Sequence, residues 1–246
     1  GLIDHSDSLG AAGRFGNGDV QWMTAGKGVQ HCEMFPMLNQ ETRNPLDFFQ
    51  IWLNLPAKSK FVDPHFSMLW NESIPVVKEK GVSIRIIAGS YKGIRAPEPA
   101  PSSWAAEEEN EVQVWTLNMQ AGETFVLPQA TDKVTRSLYF FDGEQVLVEG
   151  KSYQKNMVLE LDGSKETVLE NGREDGRYLL LQGKPINEPV AKYGPFVMNS
   201  QREIMEAMQD YQKTEFGGWP WPSKDNVHGR KEGKFAKYPD GSIVRP

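Results

Sequence analysis

The chain has 246 residues, 39% of them apolar, and 27 basic against 33 acidic side chains give a net charge of −6. This is enough apolar side chain for one large or two small domains, while the acidic balance and the absence of any run of five Lys or Arg argue against nucleic-acid binding by phosphate neutralisation. The single cysteine, Cys32, excludes an internal disulfide and any CxxC zinc or dithiol site, and no apolar stretch approaches the roughly 20 residues of a membrane-spanning helix; a cytoplasmic protein with no membrane partner is expected.

The chain enters strand-like sequence at once with Gly1-Leu2-Ile3. It has no initiator Met and no basic segment followed by an apolar block, so no secretory signal is visible and an upstream piece is expected. From there the pattern is mostly short β-type runs bounded by Gly, Asp and Asn. Strands are predicted at Asp19 to Thr24, Phe49 to Asn54, Val82 to Ala88, Glu111 to Met119, Ser137 to Phe141, Gln145 to Val148, Met157 to Leu161, Glu166 to Glu170 and Arg177 to Gln182. Asp142-Gly143, Glu149-Gly150, Asp162-Gly163, Asn171-Gly172 and Asp175-Gly176 place Gly, with its access to positive φ, after a polar residue, as tight antiparallel turns require.

Ala96 to Ser103 carries three prolines and cannot continue a ladder. The predicted organisation is therefore a β domain over residues 1–97, a Pro-rich linker over 98–106, a second β domain over 107–199, and a helix with an extended tail over 200–246. The helix is signalled by the Ser200 and Glu203 capping-box spacing, by Ile204, Met208 and Tyr211 on one face, and by Gly217-Gly218 after it.

Chemistry centres on His31-Cys32-Glu33, which follows a Gly-rich turn. If this segment is a strand, His31 and Glu33 project to one face and Cys32 to the other, so an imidazole nitrogen and a carboxylate oxygen form half of a mixed N/O site for a divalent ion. By spacing alone, a polar pair on a half-exposed strand is the commoner outcome. His65, after Asp63-Pro64, and His228, in the tail, are expected in surface positions. Trp22, Trp52, Trp70, Trp104 and Trp115 are expected to pack in the core or at its lip, as are Met23 and Met34. Glu107 to Glu109 and Glu111 are expected to form a solvated linker end.

Asp7-Ser8-Leu9-Gly10 and the run Gly18-Asp19-Val20-Gln21-Trp22-Met23-Thr24-Ala25-Gly26-Lys27-Gly28-Val29-Gln30-His31-Cys32-Glu33-Met34 together resemble the pirin family of the cupin superfamily. Gln50-Ile51-Trp52-Leu53-Asn54-Leu55-Pro56 continues the likeness. So do Gly183-Lys184-Pro185-Ile186-Asn187-Glu188-Pro189-Val190 and Tyr193-Gly194-Pro195-Phe196-Val197-Met198-Asn199. The resemblance implies an all-β bicupin: two antiparallel jelly-roll barrels packed face to face, with one mononuclear iron, or another divalent metal such as Zn, Mn, Cu, Ni or Co, in the first.

In that family three His and one Glu hold the metal, and the last two ligands match His31 and Glu33. The first two belong to a His-Pro-His-Arg-Gly segment upstream of Gly1, which this sequence does not contain. Two ligands on one strand hold a divalent ion weakly, so the chain as given is open to being metal-free or inactive. The resemblance also implies that His5 is not a ligand.

Two functions follow from the likeness. One is a metal-dependent dioxygenase of the quercetin 2,3-dioxygenase type, acting on a flavonol-like aromatic substrate with Glu33 as both ligand and base. The other is a metal- or redox-sensing regulatory protein that binds a protein partner, a transcription factor or a metabolic enzyme. The tail from Val227 to Phe235 resembles bacterial members. A monomer is expected, because two fused barrels reproduce the dimer of single-domain cupins.

Overall fold

The computed structural model describes residues 1–246. Strands dominate and a single α-helix lies near the C-terminus, as the sequence predicts. Two compact units are formed, one from residues 1–72, 100–103 and 187–246, the other from residues 73–99 and 104–186.

The first unit is built on β1 (Leu2–Asp7), β2 (Ala12–Gly16), β3 (Val20–Thr24), β4 (His31–Met34) and β5 (His65–Leu69). An antiparallel sheet runs in the order Ile243–Val244, Phe235–Lys237, β2, β1, β4, while β3 pairs with β5. The β1–β2 turn is fixed by Asp7, whose Oδ1 accepts the backbone N–H groups of Leu9 and Ala11 at 2.9 Å each. That is the physical content of the Asp-Ser-Leu-Gly motif: an Asx-type turn followed by Gly10 at φ 84°.

Every residue from Ile3 to Asp7 is buried, so β1 is covered on both faces. Alternation puts Ile3, His5 and Asp7 on one face, where Ile3 joins Phe15, Phe66 and Met68 in a small apolar cluster. Asp4 and Ser6 lie on the other, against the tail: Asn226 Nδ2 donates to Ser6 Oγ at 2.8 Å and the His228 N–H donates to Asp4 Oδ2 at 2.9 Å.

Phe49 to Asn54, predicted as a strand, is coil. It finds no ladder partner on either side, and an alternating pattern needs a paired and covered face to be held as a strand. Its apolar residues are exposed, and Trp52, expected to pack, is 59% accessible. His65, expected in a surface loop, instead opens β5 half-buried, with Nε2 at 3.0 Å from Ser67 Oγ.

The second unit contains a six-stranded sheet in the order Met157–Asp162, Thr135–Asp142, Gly176–Gly183, Gln113–Met119, Val82–Ala88, Val76–Glu79. Its four-stranded companion runs Thr124–Leu127, Thr167–Asn171, Gln145–Val148, Lys151–Gln154. Alternate residues, among them Ile84, Leu117, Leu138, Phe140, Leu169 and Leu180, form one apolar core.

The turns between these strands use glycine in two ways. Glu149 and Gly150 both take positive φ, 49° and 73°, as a two-residue primed hairpin turn demands. Gly163, Gly172 and Gly176 take no positive φ, contrary to the expectation; they are there because a Cβ would collide with Val134, with the Gln145 carbonyl oxygen and with Asn171 Oδ1 respectively.

The helix Gln201–Thr214 starts as its sequence signals, with Ser200 Oγ accepting from the Glu203 N–H. Ile204 and Met208 pack on Ala191, Phe196 and Met198.

Candidate functional site

The antiparallel β1–β4 ladder sets His5 opposite Glu33 and Asp7 opposite His31. Cross-strand partners share a face, and residues two apart on one strand share it too. Four polar side chains therefore converge on one patch of the sheet, and the placement of His31 and Glu33 together follows from His31–Met34 being a strand. Cys32 lies on the opposite face beside Ser6 and Asn226, where burial pushes its thiol pKa up and leaves it a poor nucleophile at neutral pH.

One donor atom each from His5, His31 and Glu33 lie within 4.8 Å of one another. The His5 and His31 rings are 5.7 Å apart between centroids, and His5 is stacked on Phe66 at 5.3 Å. Part of the His31 ring reaches solvent, yet desolvation is the main cause that lowers its pKa from the ordinary value; His5 adds to this, while Glu33 and Asp7 oppose it. His31 is thus neutral near pH 7, with a nitrogen lone pair available.

The three side chains are held differently. His5 is fully buried. Its Nε2 lies 3.2 Å from Asp7 Oδ2 and its Nδ1 lies 3.2 Å from Gln21 Nε2. Because Asp7 is itself anchored by two backbone N–H groups, the His5 ring is fixed in plane. Glu33 is held by one oxygen only: Gln50 Nε2 donates to Oε2 at 2.8 Å, leaving Oε1 directed by no hydrogen bond. The His31 ring makes no hydrogen bond, so its nitrogens and Glu33 Oε1 are the uncommitted donors.

Neutral imidazole nitrogens with a carboxylate oxygen form a donor set that suits a divalent transition metal. The residues present fit such an ion, with His31 and Glu33 as the donors free to ligate. His5 could join them only by giving up its bond to Gln21 or Asp7.

His65 and His228 lie outside this cluster: His228 Nε2 is 2.9 Å from the His5 carbonyl oxygen, and its ring packs edge-on against Phe235. Gln21, Gln50 and Asp7 are site residues that the sequence reading does not single out. All three stand inside the motifs quoted above, but Gln50 reaches Glu33 from a coil that period-two patterning misassigns.

Comparison with known proteins gives a consistent picture. A family model described as Pirin matches residues 1–53, and one described as the Pirin C-terminal cupin domain matches residues 114–217. Pirin-1 of Arabidopsis thaliana is 33% identical over 238 residues, covering 88% of this chain and 72% of that protein. Pirin of Homo sapiens is 28% identical over 251 residues, covering 91% and 75%. A crystal structure of quercetin 2,3-dioxygenase from Acinetobacter baumannii superimposes with a TM-score of 0.72 at 31% identity, covering 89% of this chain and 73% of that one.

Proposed function

The chain belongs to the pirin family, and we propose that it is a metal-dependent oxygenase of the quercetin 2,3-dioxygenase type, acting on flavonol-like phenols at the His31 and Glu33 face of its first unit. The observation that carries this reading is the convergence of His5, His31 and Glu33 donor atoms within 4.8 Å on one sheet face. The likeness to a quercetin 2,3-dioxygenase structure supplies the reaction class.

A divalent cation, iron or another, held by His31 and Glu33 would supply a Lewis acid that acidifies a phenolic hydroxyl. Glu33 then acts as the base. One of its oxygens would ligate the cation and the other would take the proton of the flavonol 3-hydroxyl, while the Gln50 N–H on Oε2 keeps the carboxylate aimed. Gln50 sits in the coil that carries Phe48, Phe49, Ile51 and Trp52, all exposed. Such a wall suits a planar aromatic body, which stacks on rings and apolar side chains. His5, tied to Asp7 and Gln21, gives the site a rigid floor stacked on Phe66.

The test is metal content by elemental analysis after loading, together with aerobic loss of the quercetin absorbance band. Bound metal and turnover that are both removed by His31→Ala and by Glu33→Ala support the reading. A chain that loads no metal and consumes no flavonol, or whose variants match the parent, overturns it.

A further inference from the structure

The two partners of the buried His5 ring hold it unequally. Its Nε2 lies 3.2 Å from Asp7 Oδ2 and its Nδ1 lies 3.2 Å from Gln21 Nε2. A carboxylate accepts and an amide nitrogen donates, so these partners select the tautomer with its proton on Nε2 and a lone pair on Nδ1. Asp7 is fixed in this arrangement, because its other oxygen accepts the backbone N–H groups of Leu9 and Ala11 at 2.9 Å each.

Gln21 is the weaker tie. It stands in the middle of β3, opposite Met68 of β5, and its Oε1 is buried with no hydrogen-bond partner. The amide thus gives one bond to His5 and leaves its own carbonyl oxygen orphaned, a cost that the side chain escapes by turning away.

An imidazole that donates from one nitrogen to an anchored carboxylate is set up as a metal ligand: the carboxylate fixes tautomer and ring plane, and the other nitrogen presents its lone pair. On His5 that lone pair is taken by the Gln21 N–H, a donor standing where a cation would bind. The donor atoms of His5, His31 and Glu33 lie within 4.8 Å of one another, whereas donors about 2.1 Å from one ion lie roughly 3–4 Å apart, which leaves an approach on the order of 1 Å. His31, which is exposed, and Glu33, held only through Gln50, are free to make it.

Resting on the metal reading above, we propose that His5 is the third ligand of this site, through Nδ1, with Asp7 as its orienting partner and Gln21 as the group displaced when the cation enters. This departs from the ligand set that the family resemblance implies, in which His5 takes no part. Two imidazoles and one carboxylate are the composition with which non-haem iron oxygenases hold their metal while leaving positions open for substrate and oxygen. Both strands that supply them are fixed by the β1–β4 ladder.

The test uses the full chain, with copper(II) and pulsed EPR to count coordinated imidazoles, and zinc(II) against a competing chelator to read affinity. The parent should show two imidazoles. His5→Gln, whose amide still has a donor for Asp7, should show one and bind zinc more than about 100-fold more weakly, since loss of an outer supporting contact alone costs about 10–100-fold. Gln21→Leu should keep both imidazoles and bind about 2–10-fold more tightly, because no hydrogen bond is then broken on loading. A purely structural His5 predicts one imidazole in the parent and a lowered unfolding midpoint in His5→Gln. Should His5→Gln not fold, the imidazole count of the parent against His31→Ala and the direction of the Gln21→Leu effect decide. One imidazole in the parent, or Gln21→Leu binding no tighter, overturns this proposal while the metal reading stands; a parent that loads neither ion overturns both.

Discussion

The Arg14 guanidinium closes on the Asp4 carboxylate with two parallel hydrogen bonds, Nε to Oδ1 at 2.6 Å and Nη2 to Oδ2 at 2.7 Å, and neither side chain reaches solvent. The remaining guanidinium N–H groups donate to the carbonyls of His228, Gly229 and Glu232, so one side chain ties the tail to the β1–β2 hairpin. Removing either partner leaves a buried, unpaired charge. Arg14→Ala should therefore destabilise the first unit by about 3–5 kcal/mol, measured by urea unfolding. Trypsin should also cut faster at Arg230 and Lys231 in the variant, because the loosened segment is the one that carries them. Parent-like unfolding and cleavage would show that the tail is held by other means.

Gln50→Ala tests the aim of Glu33. The lost hydrogen bond frees a half-buried carboxylate to turn, and loss of such a supporting contact costs about 10–100-fold in metal affinity. The expected result is that loss in a chelator-competition titration with an unfolding midpoint close to that of the parent, since Gln50 is exposed. Gln50→Glu should be worse, as it sets two carboxylates against each other. Unchanged affinity in both variants would mean that Glu33 is positioned without Gln50.

The common face of His31 and Glu33 is legible in the sequence because it needs only the two-residue period of a strand. The second unit is legible for the same reason where its strands alternate, as in Val82–Ala88 and Thr135–Asp142 with every other residue buried, while its central strands Gln113–Met119 and Gly176–Gly183 are covered on both faces over Val114–Trp115 and Tyr178–Leu180. What pairs residues from distant segments is not legible. Asp4 with Arg14, and Gln50 with Glu33, depend on register and on the course of a coil, neither of which leaves a local trace. Phe49 to Asn54 shows the opposite failure: its apolar alternation is strand-like, but without a neighbouring strand the backbone has no ladder to join. His5 is dispensable by the motif, yet its register position opposite Glu33 brings it into the donor cluster.

Acid sensitivity of the second unit should trace in part to Glu111. Burial alone would raise its carboxyl, but hydrogen bonds from Lys184 and Thr131 outweigh that and hold the pKa below its ordinary value. A depressed folded-state pKa means that the unfolded chain binds the proton first as pH falls. The stabilisation is therefore complete above the unfolded carboxyl range and is lost as pH drops through the folded value. Glu111→Gln should lower stability at pH 7 by about 0.5–1 kcal/mol, and the difference from the parent should narrow at pH 3. Urea midpoints at the two pH values decide it: an equal difference at both would assign the effect to packing.

Gly28 joins the loop before His31 to the end of the C-terminal helix. Its φ is 126°, and a Cβ there would lie 2.5 Å from Phe216 Cδ1 and 2.7 Å from Phe216 Cγ, too close to the ring's attachment point for a simple rotation to relieve. The same contact is flanked by Tyr211, whose hydroxyl donates to Gln30 Oε1 at 3.1 Å. Gly28→Ala therefore carries two penalties, a backbone strain and a clash, together about 1–3 kcal/mol. Adding Phe216→Ala removes the clash but not the strain, so the double variant should recover only part of the loss relative to Phe216→Ala alone. Because Gly28 lies three residues before His31, the single variant should also weaken metal loading more than its stability loss accounts for. A Gly28→Ala protein with parent-like unfolding would show that the loop does not rest against the Phe216 ring in solution.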